Sequence, residues 1–448
     1  MSNEILNAEQ QKIYEEIKDA YIFTYPLVQM VLYSRAKTNT VKANSERAPY
    51  NQFLHNKNVW TPEERKPGGP NMDTVYSFGV LKLEKDALVL HKPKTDRFYT
   101  ILFLDGYGDF REIIGSGGLG GREEGDYFIT GPAFEGIIPE GFTHVEFPTS
   151  LVSVLLRVQI FLNSDNDIEN VRKYQKGTYF VPYESYGKDY TFPDGEYNPE
   201  YDYNFYFKMK ELDAESYFTI FNEYSIANPI VPEDIEYAAK FEKYGIKPGG
   251  KFSLSQFKDE ALIQKIKTIP QTVKLNRDEM GFNRNGWEYF SIDTPLPGSD
   301  YYERAFSIHW GPGCNPAKAS LYPQAELDKD GNQLNGKYKY VIHLDADAFP
   351  PVKEDGYWSF SVYTLDDLYL IENREGIYKV SSAENDFVYN SDGSLDIFIQ
   401  RDAPDESKRA NWLPVGDEVD FEVCLRIYIP DETAIDGRWL PPFIERVN

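Results

Sequence analysis

A chain of 448 residues exceeds what one ordinary hydrophobic core supports, so roughly two to four domains are expected. Its 72 acidic residues against 47 basic ones give a net charge of −25, which argues against nucleic acid or an anionic membrane surface as a partner, because a polyanion would be repelled over the whole surface. The two cysteines, Cys314 and Cys424, lie far apart without a CxxC partner, which excludes a disulfide framework and a cysteine zinc site and leaves two reduced thiols.

The first eleven residues are polar and mixed in charge, unlike a secretion signal, and no stretch approaches the roughly 20 apolar residues of a membrane span. A cytoplasmic protein is the expectation. Residues 9–33 have helical character, with Ile13, Ile17, Tyr21 and Tyr25 four apart and Pro26 set to interrupt or kink the run. Residues 36–70 are polar and rich in proline and glycine, which predicts a long irregular loop. Short apolar or alternating runs then recur at 75–83, 98–104, 127–130 and 150–161, the pattern of a β-sandwich.

After Asn163 the pattern changes. Residues 211–226, 232–243 and 256–273 each carry helical spacing, with Pro232 suited to a first turn and Pro270 ending or kinking the last segment. Strands return beyond Tyr301. Tyr338, Tyr340, Ile342 and Leu344 alternate with polar residues, as do Trp358, Phe360 and Val362, then Leu395, Ile397 and Ile399. The clearest alternation runs from Val419 through Phe421, Val423, Leu425 and Ile427 to Ile429, with Asp420, Glu422, Cys424, Arg426 and Tyr428 between. Such a period of two requires an extended chain with one face in a core. Tyrosine is abundant, 34 residues, and serves either β cores or flat ligand platforms, with the core use favoured.

The run Asn71, Met72, Asp73, Thr74, Val75, Tyr76, Ser77, with the later pair Gly131 and Pro132, resembles the domain of unknown function numbered 1254. The blocks 392–397, 411–414 and 436–439, written DGSLDI, NWLP and DGRW, resemble its usual partner, numbered 1214. Residues 244–249 and the pair Arg304 and Ala305 are similar to the connecting motifs of that family. The resemblance implies a mainly β protein with helical segments, often a homo-oligomer. Its parts would be a helical segment at 1–47, an immunoglobulin-like β-sandwich at 48–165, a helical linker domain at 166–300 and a C-terminal jelly-roll β-sandwich at 301–448. It implies no catalytic residue set.

Candidate chemistry is therefore sought in the residues themselves. Asn71, Asp73, Thr74 and Tyr76 cluster four hydrogen-bonding side chains beside a glycine-rich turn; Asp73 is either an acid, base or ligand anchor in an interdomain cleft, or, with Thr74, a turn cap. The glycine-rich stretch 105–121 reads as a mobile surface loop, without a phosphate-loop motif, while Arg111 within it or Arg122 just after it, and Arg304, are able to fix an anionic group. His343, Asp345 and Asp347 would share one face of a continuing strand, a weak candidate for a divalent cation against a solvated strand end. No HExxH, GxSxG or triad spacing is present, and no cofactor is expected. Trp412 and Trp439 suit plugs at the end of a sandwich. Three readings remain: a binder of a small polar or carbohydrate-like ligand between the β domains, a hydrolase or lyase using Asp73 with an arginine, or a structural homo-oligomer without a small-molecule site.

Overall fold

The computed structural model describes residues 6–66, 68–276, 281–289, 300–310, 315–417 and 419–447, and in it the chain is mainly β with helical segments. The loop holding Cys314 lies outside the described residues. The first helix, Ala8–Thr38, opens with a capping box: Asn7 Oδ1 accepts the amides of Glu9 and Gln10, both at 3.0 Å, and Gln10 returns a bond to the Asn7 amide. Pro26 neither ends nor divides it. From Ala20 onward nearly every side chain is buried, so tertiary packing offsets the roughly 3 kcal/mol that an interior proline costs.

A six-stranded sheet follows, in the order Phe53–His55, Thr74–Lys82, Leu151–Gln159, Tyr99–Leu104, Phe110–Gly115 and Leu119–Gly120. Against it packs a four-stranded sheet of Tyr179–Pro182, Leu88–Lys92, Gly125–Thr130 and Thr143–Glu146. Leu81, Leu90, Ile101, Ile129, Val152 and Leu156 fill the space between them. Strand Leu151–Gln159 is buried on both faces: Val152, Val154, Leu156 and Val158 join this core, while Ser153, Leu155, Arg157 and Gln159 face outward yet stay covered.

Ala214–Tyr224, Glu260–Lys267 and Tyr301–Trp310 pack on the first helix and form a third core around Tyr21, Leu27, Phe218, Ile266 and Ile308. Ala214–Tyr224 and Glu260–Lys267 are shorter than the periodicity predicts, and the 232–243 segment breaks into a 3-10 turn, Pro232–Asp234, and a short helix, Ile235–Ala239. Tyr301–Trp310 is a helix where the sequence predicts strands, its apolar side packing on the first helix.

The C-terminal unit also pairs two sheets. One is built around Phe421–Pro430 and its neighbour Val352–Thr364, extended by Lys379–Ser381 on one side and by Gln324–Ala325, Trp287–Tyr289 and Phe282–Arg284 on the other, with Ser320–Leu321 also on Phe421–Pro430. The opposing sheet is Trp412–Pro414, Leu395–Gln400, Lys339–Leu344 and Ile444–Val447. Pairing is antiparallel except for a few parallel ladders such as Leu395–Gln400 with Trp412–Pro414. Val423, Leu425 and Ile427 enter this core with Tyr340, Ile342, Ile397 and Ile399. Trp412 and Trp439 bind carbonyls of Gln400 and Ala348 through their indole N–H groups and cover the core edge.

The glycine-rich stretch is a clasp rather than a mobile loop. A Cβ on Gly108, at φ +73°, would stand 2.1 Å from Ile308 of the helical layer, and one on Gly117, at φ +69°, 2.9 Å from Ile429 of the C-terminal unit. Both positions need a left-handed backbone and close approach together. The clasp carries an ionic cluster: Arg111 meets Asp105 at 2.6 Å, and Arg304 bridges Asp109 at 2.9 Å and Asp234 at 2.8 Å. Burial, and then the adjacent Asp105 charge, push the Asp109 carboxyl up from 3.8 to about 7, against the pull of Arg304 and Arg111.

Because folding raises this pKa, the native state holds the Asp109 proton more tightly, so its contribution to stability declines as pH climbs from about 4 to about 7. Asp109→Asn leaves two arginines facing Asp105 and Asp234. Urea unfolding at pH 5 and pH 8 should show the wild type losing on the order of 2 kcal/mol more than the variant over that interval; equal losses would remove Asp109 as the titrating group.

Candidate functional site

The turn that precedes strand Thr74–Lys82 carries a fully buried carboxylate, Asp73. Asn71 Oδ1 accepts the amides of Asp73 at 2.7 Å and Thr74 at 3.2 Å, an Asx turn that sends the Asp73 carboxylate out of its own sandwich. It lands on the C-terminal sheet. Ser359 Oγ donates to Asp73 Oδ2 at 2.5 Å, Tyr428 OH donates to the same oxygen at 3.1 Å, and Lys379 Nζ stands 3.3 Å from Oδ1. Lys379 also meets Glu384 at 2.6 Å and donates to the Ile160 carbonyl, while Asn71 Nδ2 donates to Tyr428 OH at 2.8 Å. Asp73 is fully buried, and the network sits wholly between the two β units. Thr74 is buried beside it, and its hydroxyl has no hydrogen-bond partner among the described residues.

Next to this network a cleft of about 970 Å³ opens between the units. Its deep wall is made by the outward positions of three strands: Tyr76 and Phe78 from Thr74–Lys82, Leu155 and Arg157 from Leu151–Gln159, and Cys424 and Arg426 from Phe421–Pro430. Tyr322, Asn315, Asn71 and the backbone of Gly69 close the base, and the mouth is framed by Lys37, Arg47, Trp60, Lys66, Gly68, Asp202 and residues 203–206. The strand alternation explains this wall: every second residue serves its own core, so the others meet across the domain junction.

Charge in the cleft runs opposite to the chain as a whole. Five basic residues line it, Lys37, Arg47, Lys66, Arg157 and Arg426, against two acidic ones, Glu46 and Asp202. Arg47 and Asp202 pair at 2.5 Å. Burial, followed by the Lys66 charge, pushes the Lys37 ammonium below its ordinary value, with Arg47 adding to the effect and Glu46 opposing it. Arg426 is only 4% exposed; its Nη2 donates to Tyr363 OH at 2.8 Å and to the Gly69 carbonyl at 3.1 Å, whereas Nη1 has no hydrogen-bond partner among the described residues. A buried guanidinium N–H without a partner is costly and marks a position where an acceptor belongs. The Arg157 guanidinium lies 5.4 Å from the Tyr76 ring, which stacks on Phe78.

Nucleophilic chemistry is not evident in this wall. Burial pushes the Cys424 thiol up to about 11, which keeps it protonated at neutral pH. Burial likewise raises the Tyr322, Tyr357 and Tyr428 hydroxyls, so these are neutral donors and acceptors. Tyr322 OH is held by Asn315 and Ser320 at 2.9 and 2.8 Å.

The predicted site residues therefore separate. Asn71 and Tyr76 line the cleft, Asp73 and Thr74 lie behind it, and Arg111 and Arg304 belong to the ionic clasp, away from the cleft lining. His343 Nδ1 is engaged by Asp396 on the neighbouring strand at 2.6 Å and its Nε2 by Asp345 at 3.4 Å; Asp345 and Asp347 lie past the strand end, and among the described residues no group of three or more His, Cys, Asp and Glu could hold a metal. Arg157, Arg426, Tyr322 and Lys379 were not singled out by sequence reasoning. A signal existed for two of them: Arg157 and Arg426 are lone basic residues inside otherwise apolar strands.

Removing the Asp73 carboxylate leaves two buried hydroxyls without their acceptor and Lys379 with one acid in place of two. Asp73→Ala is expected to cost about 3 kcal/mol in urea unfolding and Ser359→Ala about 1 kcal/mol; the reverse order would show that Ser359, not the carboxylate, holds the junction.

Comparison with known proteins agrees with this architecture. Protein of unknown function DUF1254 matches residues 50–182 and protein of unknown function DUF1214 matches residues 319–432. The crystal structure of the VPA0106 protein from Vibrio parahaemolyticus is similar over 97% of this chain and 100% of that one, with TM-score 0.72 at 18% identity, a likeness of fold. An uncharacterized protein from Burkholderia cenocepacia aligns over 98% of this chain and 94% of that one at 12% identity, with TM-score 0.44. No curated protein matches the chain. The two family matches fall one on each β unit, on either side of the cleft, and the chain belongs to the two-domain family that joins DUF1254 to a C-terminal DUF1214.

Proposed function

We infer that the protein binds a small polar anion in the cleft between its β domains. The observation that carries this reading is Arg426, a buried guanidinium on the cleft wall with one donor nitrogen unpaired. Supporting it are the excess of basic residues in the lining of a chain with net charge −25, and a volume at the upper end of the range that encloses small organic ligands. A cationic cleft in an acidic surface focuses the field, so anions are drawn to this one place.

In this reading Asp73 is a positioning group. It fixes the Tyr428 hydroxyl and the Asn71 turn, which together set the base of the cleft, and it does not touch ligand. A hydrolase or lyase mechanism through Asp73 would need the carboxylate to reach past Ser359 and Tyr428, both of which already hydrogen-bond to it.

Thermal-shift titration with mono- and dicarboxylates, phosphate and neutral sugars tests the proposal. Anions should raise Tm and neutral sugars alone should not; the shift should shrink as NaCl rises from 20 to 300 mM (about a fourfold shorter screening length). Lys66→Ala, at the exposed rim, should weaken anion binding several-fold without changing the fold, and Arg426→Met should abolish it. Equal binding of anions by wild type and Arg426→Met would overturn the assignment.

A further inference from the structure

The cleft combines a buried cationic end with an aromatic path to the surface. Beyond Arg426 and Arg157, the rings of Tyr76 and Tyr322 flank the interior, Trp60 and Tyr203 flank the mouth, and Tyr206 lines the outermost part at 46% exposed. The path continues outside the cleft. Tyr197, 53% exposed, donates its hydroxyl to Asp202 at 3.1 Å, and Asp202 pairs with Arg47 on the rim. Isolated exposed aromatics need no explanation, but these lie in sequence with a cleft that ends on a buried charge.

Two features decide between anion classes. Phosphate groups are usually held by nests of free backbone amides, often supplied by glycine. The glycines lining this cleft are not available for that: the Gly68 amide donates to the Asp367 carbonyl and the Gly69 amide to the Leu368 carbonyl, both at 3.0 Å. What remains is side-chain recognition by guanidinium groups, whose planar fork matches a carboxylate. The second feature is shape. A single small acid would fill only the deep end of about 970 Å³, leaving the aromatic mouth without a function. Sugar rings laid flat along tyrosine and tryptophan faces use the whole length.

We propose that the ligand is a short acidic oligosaccharide, a chain of uronic-acid-type sugars whose terminal carboxylate is held at Arg426 and whose outer rings lie on Tyr203 and Tyr206. This deepens the anion-binding reading and rests on it. No bond is made or broken in the step proposed.

Isothermal titration of the full chain tests it with monomers and trimers of galacturonate and mannuronate, a glucuronate-containing tetrasaccharide, neutral maltotriose, and a nucleoside monophosphate. At least one acidic oligomer is expected to bind tenfold or more tightly than its monomer, with maltotriose silent. Tyr206→Ala, an exposed change that leaves the fold intact by circular dichroism, should erase most of that length dependence, fivefold or more, while leaving the monomer affinity unchanged. Arg426→Met should remove both. Binding of simple carboxylates or the nucleotide without any preference for acidic oligomers overturns the oligosaccharide assignment and leaves the anion cleft standing. Silence toward every anion overturns both.

Discussion

A carboxylate taken wholly out of water is the condition on which this architecture rests. Asp73 belongs to the N-terminal sandwich by sequence, yet its partners Ser359, Tyr428 and Lys379 all belong to the C-terminal sheet. An ionised carboxylate buried without partners would cost many kcal/mol, and the Asn71 turn of its own sandwich engages the Asp73 amide and not the carboxylate. The two β units are thus joined by necessity as much as by apolar contact. Its donors are fixed in direction, so the pair also has one angle and one register.

The surrounding surfaces follow the same logic. Strands Leu151–Gln159 and Phe421–Pro430 are each buried on both faces, one face in a private core and one at the junction. At the junction the residues are mixed: Leu102, Leu104, Ile113 and Ala319 pack as oil, while Arg157, Arg426, Tyr363 and Tyr428 bring polar tips. Where the packing is tight the units seal; where Asn71, Tyr76 and Arg426 diverge, the cleft remains. Position in the alternation, and not overall polarity, determines which residues line it.

Much of the β architecture was legible. Period-two runs located the strands Thr74–Lys82, Leu151–Gln159, Leu395–Gln400 and Phe421–Pro430 within a few residues, because one buried face leaves a direct imprint on composition. Pro26 does not interrupt the helix as its propensity suggests, since propensity is local and the packing that overrides it is not. The glycine-rich stretch misled for a related reason: glycine signals close approach or looseness alike, and only the positions of Ile308 and Ile429 show which. The NMDTVYS run marked the turn that carries the interdomain network, but not the partners it meets there. Asp73 and Ser359 are 286 residues apart, and no single-sequence pattern links a turn to a strand at that distance. Arg426 sat in plain view as a polar outward position and reads as solvent-facing until a second sheet is known to cover it.

That separation also has a kinetic meaning. A ribosome adding roughly 5 to 20 residues per second needs about 15 to 60 s to pass from Asp73 to Ser359. During that interval the nascent N-terminal sandwich displays Tyr76, Phe78, Leu102 and Leu104 and an unpaired acid on an otherwise finished sheet, with nothing yet synthesised to cover them. Until its own partner sheet emerges, that face is exposed apolar surface of the kind that favours aggregation, and a solvated charge within it disfavours pairing with another copy.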